Sequence, residues 1–505
     1  MANLVIDYLE ETVQKFPDKL AYIDRKGSIT FKQLRLNAFK LAKIMIEDGI
    51  FKKPILIYLE KSVECITAFM GTAYSGNFYS PIDVKMPTER IKKIIDTLQP
   101  EVILTDEKHK KNIIFLAENR KIITIEEIFA DDFVDDIQIL KCTKKIIDTD
   151  ILYVLFTSGS TGVPKGVIIN HKAVIDFTDW ICKKYSFDEN TVLGNQAQLY
   201  FDLSIQDVYA PLKTGATTVL IPNRMFTQPL RVWNTILDNK VNTLVWIPSM
   251  LSLFANLNIL TNVKKASLKT IIFCGEVMPI KQLNYWIRNY PDTVFANLYG
   301  PTECTEACTY YTIDRAFEDD DVLPMGIACE NSEAFIVGED GCLITETNVI
   351  GELYMRGTCL SLGYYNNPEK TAEVFIQNPF NMNYPELVYK TGDLVRYNEL
   401  GQLVYVSRKD FQIKHRGYRI ELGEIDAAAT SIQEIEYACC IYDAKADQLK
   451  LAYTGEIDKK EVENRLKRKL QEYMLPTEYH KMEHMLFNIN GKVDRKALEE
   501  QLCGK

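Results

Sequence analysis

Through most of its first 300 residues this chain alternates short, continuously apolar runs with helical repeats, which leaves few folds open. KPILIYL and PEVILTD read as strands. FKQLRLNAFKLAKIMIEDGI and TERIKKIIDTLQP carry apolar residues at the three- and four-residue spacing of amphipathic helices. The pattern occupies the first 145 residues and resumes from Ile151 to about Gly300, with ILYVLF, ATTVLIP, VNTLVWIP and KTIIFCG as further strands. Strands separated by helices imply βαβ units and largely parallel sheets.

From about Pro324 to Val406 the character changes. EAFIVG, GELYMRG and QLVYVS are strand-like and separated by Gly and Asp turns, which predicts a small β-rich lobe. SRKDFQIKHRGYRIELGEIDAAA then raises the charge sharply, in the manner of a solvated linker. YACCIYD, LKLAYTG and a predicted helix over KKEVENRLKRKLQEYM follow, as a compact α+β module. The expectation is an α/β protein: a large N-terminal domain over 1–409 with parallel-rich sheets and a small β lobe, and a mobile α+β C-terminal domain over 410–505.

Composition narrows the function classes. Lys and Arg total 59 against 69 Asp and Glu, a net charge of −10, which argues against a nucleic-acid binder. The first residues, MANLVIDYLEETVQKFPDKLAYIDRKG, have no basic stretch followed by an apolar one, so no signal peptide is expected. No apolar run approaches the ~18 residues of a membrane span, so neither membrane insertion nor a location outside the cytoplasm is expected. Twelve cysteines without a CxxC pair, and only five histidines, read as reduced thiols without a zinc site.

LFTSGSTGVPKGV, from Leu155 to Val167, follows a buried strand. Its glycines let the backbone approach an anion, its hydroxyls and N–H groups can bond one, and Lys165 adds a point charge. The spacing is not that of a P-loop NTPase. Taken alone, a phosphate loop and a flexible turn stand about even. Four further segments shift that balance: YGPTE (Tyr299 to Glu303), YKTGD (Tyr389 to Asp393) with an Asp on a glycine turn, RKDFQIKHRGYRIELGEI (Arg408 to Ile425), and NGKVDR (Asn490 to Arg495).

With ITFKQL (Ile29 to Leu34) and SPIDVKMPTERI (Ser80 to Ile91), this ordered set resembles the adenylate-forming superfamily almost end to end. That superfamily includes acyl-CoA synthetases, luciferases and the amino-acid adenylation domains of nonribosomal peptide synthetases. YFDLSIQDVY, FCGEVMP and RKDFQIKHRGYRIELGEI closely resemble segments of free-standing D-alanine–carrier protein ligases. The resemblance implies two steps. An amino-acid carboxylate attacks the α-phosphate of ATP to give aminoacyl-AMP and pyrophosphate. The phosphopantetheine thiol of a separate carrier protein then takes the aminoacyl group as a thioester.

The resemblance also implies roles. Thr157, Ser158 and Thr161, with Lys165, would grip the ATP phosphates. Asn297, Leu298, Tyr299, Gly300, Pro301 and Thr302 would line the adenine and α-phosphate. Glu303 would hold Mg²⁺, a hard cation suited to a carboxylate. Asp393 would take the ribose hydroxyls, with Arg408 and Tyr405 nearby. Lys492 would bridge the substrate carboxylate and the AMP oxygens, offsetting two negative groups. Asp410 would be the hinge, bringing Gly417 into place for the second step. Leu486 and Asn488 depart from the usual Pro and Thr before the lysine, and Ser407 from a Gly before the hinge arginine.

In this resemblance Asp202 pairs with the substrate's α-ammonium, which favours an amino acid over a plain acyl-CoA ligase substrate. Asp202 capping the following helix is the structural alternative. The pocket would be lined by Leu203, Gln206, Val245, Ile272, Cys274, Leu298, Glu306 and Ala307. Cys274 matches the D-alanine ligases and Glu306 does not, since they carry an apolar residue there. D-alanine is slightly favoured; a proline, cationic or hydroxylated substrate, or an acyl-CoA ligase, remains the alternative. The partners expected are the amino acid and the carrier, for which KRKLQEY (Lys467 to Tyr473) is a basic candidate surface, and the protein is expected to be a monomer.

Overall fold

The computed structural model describes residues 2–129, 136–159, 162–261, 263–319, 321–487 and 493–504. The chain divides into two compact units. The first comprises residues 1–84, 98–155 and 166–407, and the second residues 85–97, 156–165 and 408–505.

The first unit holds three sheets. In the nine-stranded sheet, Thr217–Leu220, Val192–Asn195, Thr243–Trp246, Thr270–Cys274 and Val294–Tyr299 lie side by side. These five run parallel, as the strand–helix alternation predicts. Thr309–Thr312 then pairs antiparallel with Val294–Tyr299. The six-stranded sheet orders Lys121–Thr124, Val102–Thr105, Pro54–Ile57, Phe78–Pro81, Ile151–Thr157 and Lys165–Asn170. The central strands Pro54–Ile57, Phe78–Pro81, Val102–Thr105, Thr217–Leu220, Thr243–Trp246 and Thr270–Cys274 are buried along their length, which is why they read as apolar runs.

Helix ends follow from the sequence. Phe31–Glu47 starts at a capping box: the Gln33 N–H donates to Thr30 Oγ1 at 3.2 Å and the Thr30 N–H to Gln33 Oε1 at 3.0 Å. Val63–Tyr74 is capped by Ser62.

The predicted β lobe is the third sheet, antiparallel, built on Ser332–Val337, Gly351–Gly357 and Leu387–Tyr397. One expectation changes here. Asp393 lies inside the eleven-residue strand Leu387–Tyr397, not on a turn between strands. The register slips between Glu352 and Tyr354, making a bulge that carries Thr391–Asp393, with Gly392 at φ 73°.

The second unit carries the hairpin Gln412–His415 with Tyr418–Glu421, the helix Leu422–Thr430, and a sheet of Ile435–Asp443, Gln448–Gly455 and Glu478–Lys481. The hairpin closes through Arg416 and Gly417, both at positive φ (51° and 81°), the twist a two-residue hairpin turn requires. The predicted helix over Lys459–Met474 stops at Lys467. A 3₁₀ turn at Glu472–Met474 replaces its last part. Leu466, Leu470 and Met474 are all buried in this unit's core despite the break.

Candidate active site

In the first unit, the C-terminal ends of parallel strands bring the predicted pocket residues together. Val245 pairs in register with Ile272, and Cys274 with Leu298. All four are buried in the same apolar cluster as Leu203 and Ala307. Ends of parallel strands are where such sheets place ligands.

The segment after Val294–Tyr299 carries the acidic motif. Gly300 has no room for a side chain, since a Cβ there would sit 2.2 Å from the Glu306 carbonyl oxygen. A short 3₁₀ turn, Thr302–Cys304, then buries Glu303 completely. Its Oε1 accepts a hydrogen bond from the Tyr364 hydroxyl at 2.8 Å, and its carbonyl accepts from the Ser361 N–H at 2.9 Å. The bulge places Asp393, 2% exposed, where the Tyr299 hydroxyl donates to its Oδ2. The Asn297 amide donates to the Pro324 carbonyl at 2.8 Å, fixing the strand beneath. Tyr405 is half-buried on the last strand of the lobe.

Asp202 is half-buried in a 3₁₀ turn and accepts from the Leu203 N–H at 2.9 Å. The following helix, Ile205–Thr214, has no side-chain cap, so capping does not account for Asp202. Gln206 is fully buried and donates to the Leu203 carbonyl at 2.7 Å. Glu306 is 2% exposed, and both its oxygens lack a hydrogen-bond partner among the described residues. Burial first, then the charges of Asp202 and Asp207, push its carboxyl well above the usual range. The Gln206 backbone N–H pulls the other way.

Sequence reading missed Asp207, Lys61 and Asn195. Asp207 is fully buried and accepts from Asn195 Nδ2 at 2.8 Å, and burial pushes its carboxyl up to about 7. Lys61 donates to Asn195 Oδ1 and the Gln196 carbonyl at 3.0 Å, and to the Ala197 carbonyl at 3.2 Å. Burial holds its ammonium down at about 7. Asp207 lies in YFDLSIQDVY beside Gln206 but has no role implied for it there, and Lys61 lies in none of the quoted motifs, so neither stood out in the sequence.

In the second unit the phosphate-type loop already holds protein groups. The Gly159 N–H donates to Glu424 Oε2 at 3.3 Å. Lys165 Nζ lies 3.4 Å from Glu421 Oε1, and Ser158 Oγ donates to the Arg419 carbonyl at 2.8 Å. Lys93 donates to the Gly162 carbonyl at 2.7 Å, and Arg90 pairs with Glu424. The loop thus binds carboxylates through the groups expected to bind phosphate. Thr157 Oγ1 is buried without a partner among the described residues. Arg408 grips Asp410 with two nitrogens, at 2.8 and 2.6 Å. Burial alone would raise the Asp410 carboxyl, and the guanidinium more than offsets it. Gly417 sits in the hairpin turn. Thr161, Lys492 and Asn488 lie outside the described residues.

The profile of the AMP-binding enzyme family matches residues 9–365. This chain belongs to that family. As an AMP-binding enzyme it is 32% identical to the D-alanine–D-alanyl carrier protein ligase of Staphylococcus aureus, over 99% of both chains. It is 31% identical to a mycosubtilin synthase polypeptide of Bacillus subtilis. That match takes in 98% of this chain but only 19% of the synthase polypeptide's length. Among solved structures, the Vibrio cholerae adenylation domain AlmE in complex with glycyl-adenosine-5'-phosphate superposes with a TM-score of 0.86 at 22% identity. It covers 100% of this chain and 98% of that one. The fused adenylation–carrier di-domain NpsA-ThdA from Klebsiella oxytoca gives 0.81 at 21% identity, over 94% and 93%. The fold expected for an AMP-binding enzyme is therefore the fold of this chain.

Proposed function

We propose that this AMP-binding enzyme activates an amino acid with ATP and passes it to the phosphopantetheine thiol of a separate carrier protein. In the first step a carboxylate oxygen attacks the α-phosphorus and pyrophosphate leaves. In the second the thiol sulfur attacks the acyl carbon and AMP leaves. The observation that carries this reading is the pair of buried carboxylates each held by a tyrosine, Glu303 by Tyr364 and Asp393 by Tyr299. Two ordered acids in motifs of this kind are what a magnesium nucleotide needs: one for the cation, one for the ribose hydroxyls.

Glu303 fits Mg²⁺, which takes one or two protein carboxylates and fills its shell with water and phosphate. When bound, the ion would neutralise charge on the phosphates. Asn297 to Thr302 flank the nucleotide, Thr157, Ser158, Thr161 and Lys165 hold its phosphates, and Asp202 takes the substrate ammonium. Lys492 serves adenylation, and Asp410 is the hinge near which the C-terminal domain, 410–505, begins. Amino-acid-dependent ATP–pyrophosphate exchange tests the first step, and thioester formation on a phosphopantetheinylated carrier the second. Transfer to free CoA instead of the carrier would favour an acyl-CoA ligase.

The likeness to the S. aureus ligase over 99% of both chains supports D-alanine as the substrate. Glu306, without a hydrogen-bond partner among the described residues, favours a second reading, argued next.

A further inference from the structure

Glu306 carries an expense that the chemistry above does not use. Its side chain is buried, both oxygens lack partners among the described residues, and the charges it feels are those of Asp202 and Asp207. The cation in this group, Lys61, acts on Asp207. The backbone is strained as well: Thr305 and Glu306 are consecutive non-glycine residues in the left-handed region, at φ 51° and 70°. Each such residue costs about 1–3 kcal/mol unless its surroundings hold it there. An uncompensated buried carboxylate costs more still.

Nearby acceptors are left open too. Among the described residues, Gln206 Oε1 is buried without a partner, and so is the Tyr153 hydroxyl, which feels the charges of Asp202 and Glu306. Val245, Ile272, Cys274 and Leu298, buried in the same apolar cluster as Tyr153, have no charge to offer. Among the described residues, Glu306 lacks a cationic partner and an N–H donor within ordinary hydrogen-bond geometry. A hydroxyl would give one donor and no charge, whereas an ammonium gives three donors and a full charge. The Asp202 carboxylate already answers to the α-ammonium in the reading above, so a second cation must come from the side chain.

We propose that Glu306 selects the substrate's side chain by pairing with a cationic group, so that the enzyme activates a diamino or guanidino amino acid. This rests on the amino-acid adenylation reading and deepens it. The Glu306 carboxylate pairs with the side-chain nitrogen, and the open oxygens of Gln206 and Tyr153 take its remaining N–H groups. A neutral side chain would leave the acceptors buried and unmet, and a site built to bond a polar group rejects its apolar analogue strongly.

The test is ATP–pyrophosphate exchange by the full-length wild-type enzyme with both enantiomers of 2,4-diaminobutyrate, ornithine, lysine, arginine, norvaline and alanine. The expected result is kcat/KM for one cationic amino acid ~100-fold or more above norvaline and either alanine. Glu306→Leu should move the preference to norvaline, and Glu306→Gln should weaken the cationic preference without creating the apolar one. Best exchange with alanine or norvaline would overturn the inference and leave amino-acid adenylation standing. Exchange with no amino acid would overturn both.

Discussion

The Tyr364 hydroxyl donates to Oε1 of Glu303 at 2.8 Å, across 61 residues of sequence. That bond aims a fully buried carboxylate from the acidic turn with a side chain from the β lobe. Partners that orient a metal-binding carboxylate are commonly worth ~10–100-fold in metal affinity. Tyr364→Phe should therefore raise the Mg²⁺ concentration for half-maximal pyrophosphate exchange by about tenfold and leave thermal stability nearly unchanged. A titration with unaltered Mg²⁺ dependence would count against Glu303 as the ligand.

Asp393 and Tyr299 make the parallel case for the ribose. Asp393→Asn keeps shape but weakens acceptance of two hydroxyls, so KM for ATP should rise about tenfold, by the ~1.4 kcal/mol of one charged hydrogen bond. Initial rates against ATP at saturating amino acid read this directly. An unchanged KM would remove Asp393 from the nucleotide site.

In its proposed role the charge of Lys492 acts only as two negative groups meet, so Lys492→Ala should lower adenylation by ~1000-fold or more while ATP-analogue binding stays measurable. Transfer from a chemically made aminoacyl-AMP to the carrier should persist. A near-normal exchange rate would refute the assignment.

Glu421 occupies Lys165 in the second unit, 3.4 Å away. A nucleotide phosphate must replace that carboxylate if Lys165 is to bind it. Glu421→Gln should lower KM for ATP severalfold, the worth of an ion pair of ~1 kcal/mol. A higher KM would mean that Glu421 assists the loop instead.

His171 gives a pH prediction. It is fully buried, and its Nδ1 accepts from the Val5 N–H at 3.3 Å, so the ring is neutral. Burial holds its pKa down at about 4. The unfolded chain binds a proton near pH 6.5 that the folded chain refuses. Stability from this residue is therefore complete above pH 6.5 and falls by about 3 kcal/mol towards pH 4. Urea midpoints at pH 7.5 and 5 should differ more in wild type than in His171→Gln.

The sequence by itself determined the fold class, because burial of parallel strands on both faces forces unbroken apolar runs and amphipathic helices between them. It also marked Glu303, Asp202 and Asp393, whose motifs are local in sequence, and Glu306 through the pocket that the resemblance implies. It overran the helix after Asp458, since a helical repeat through Leu466, Leu470 and Met474 cannot tell a helix from a broken path that buries the same three side chains. Only tertiary structure decided that Tyr364 holds Glu303, that Lys61 and Asn195 meet at Asp207, and that Glu306 is left without a hydrogen-bond partner among the described residues. Those relations join residues 12 to 134 positions apart, and their energies come from packing and desolvation, which no local pattern encodes.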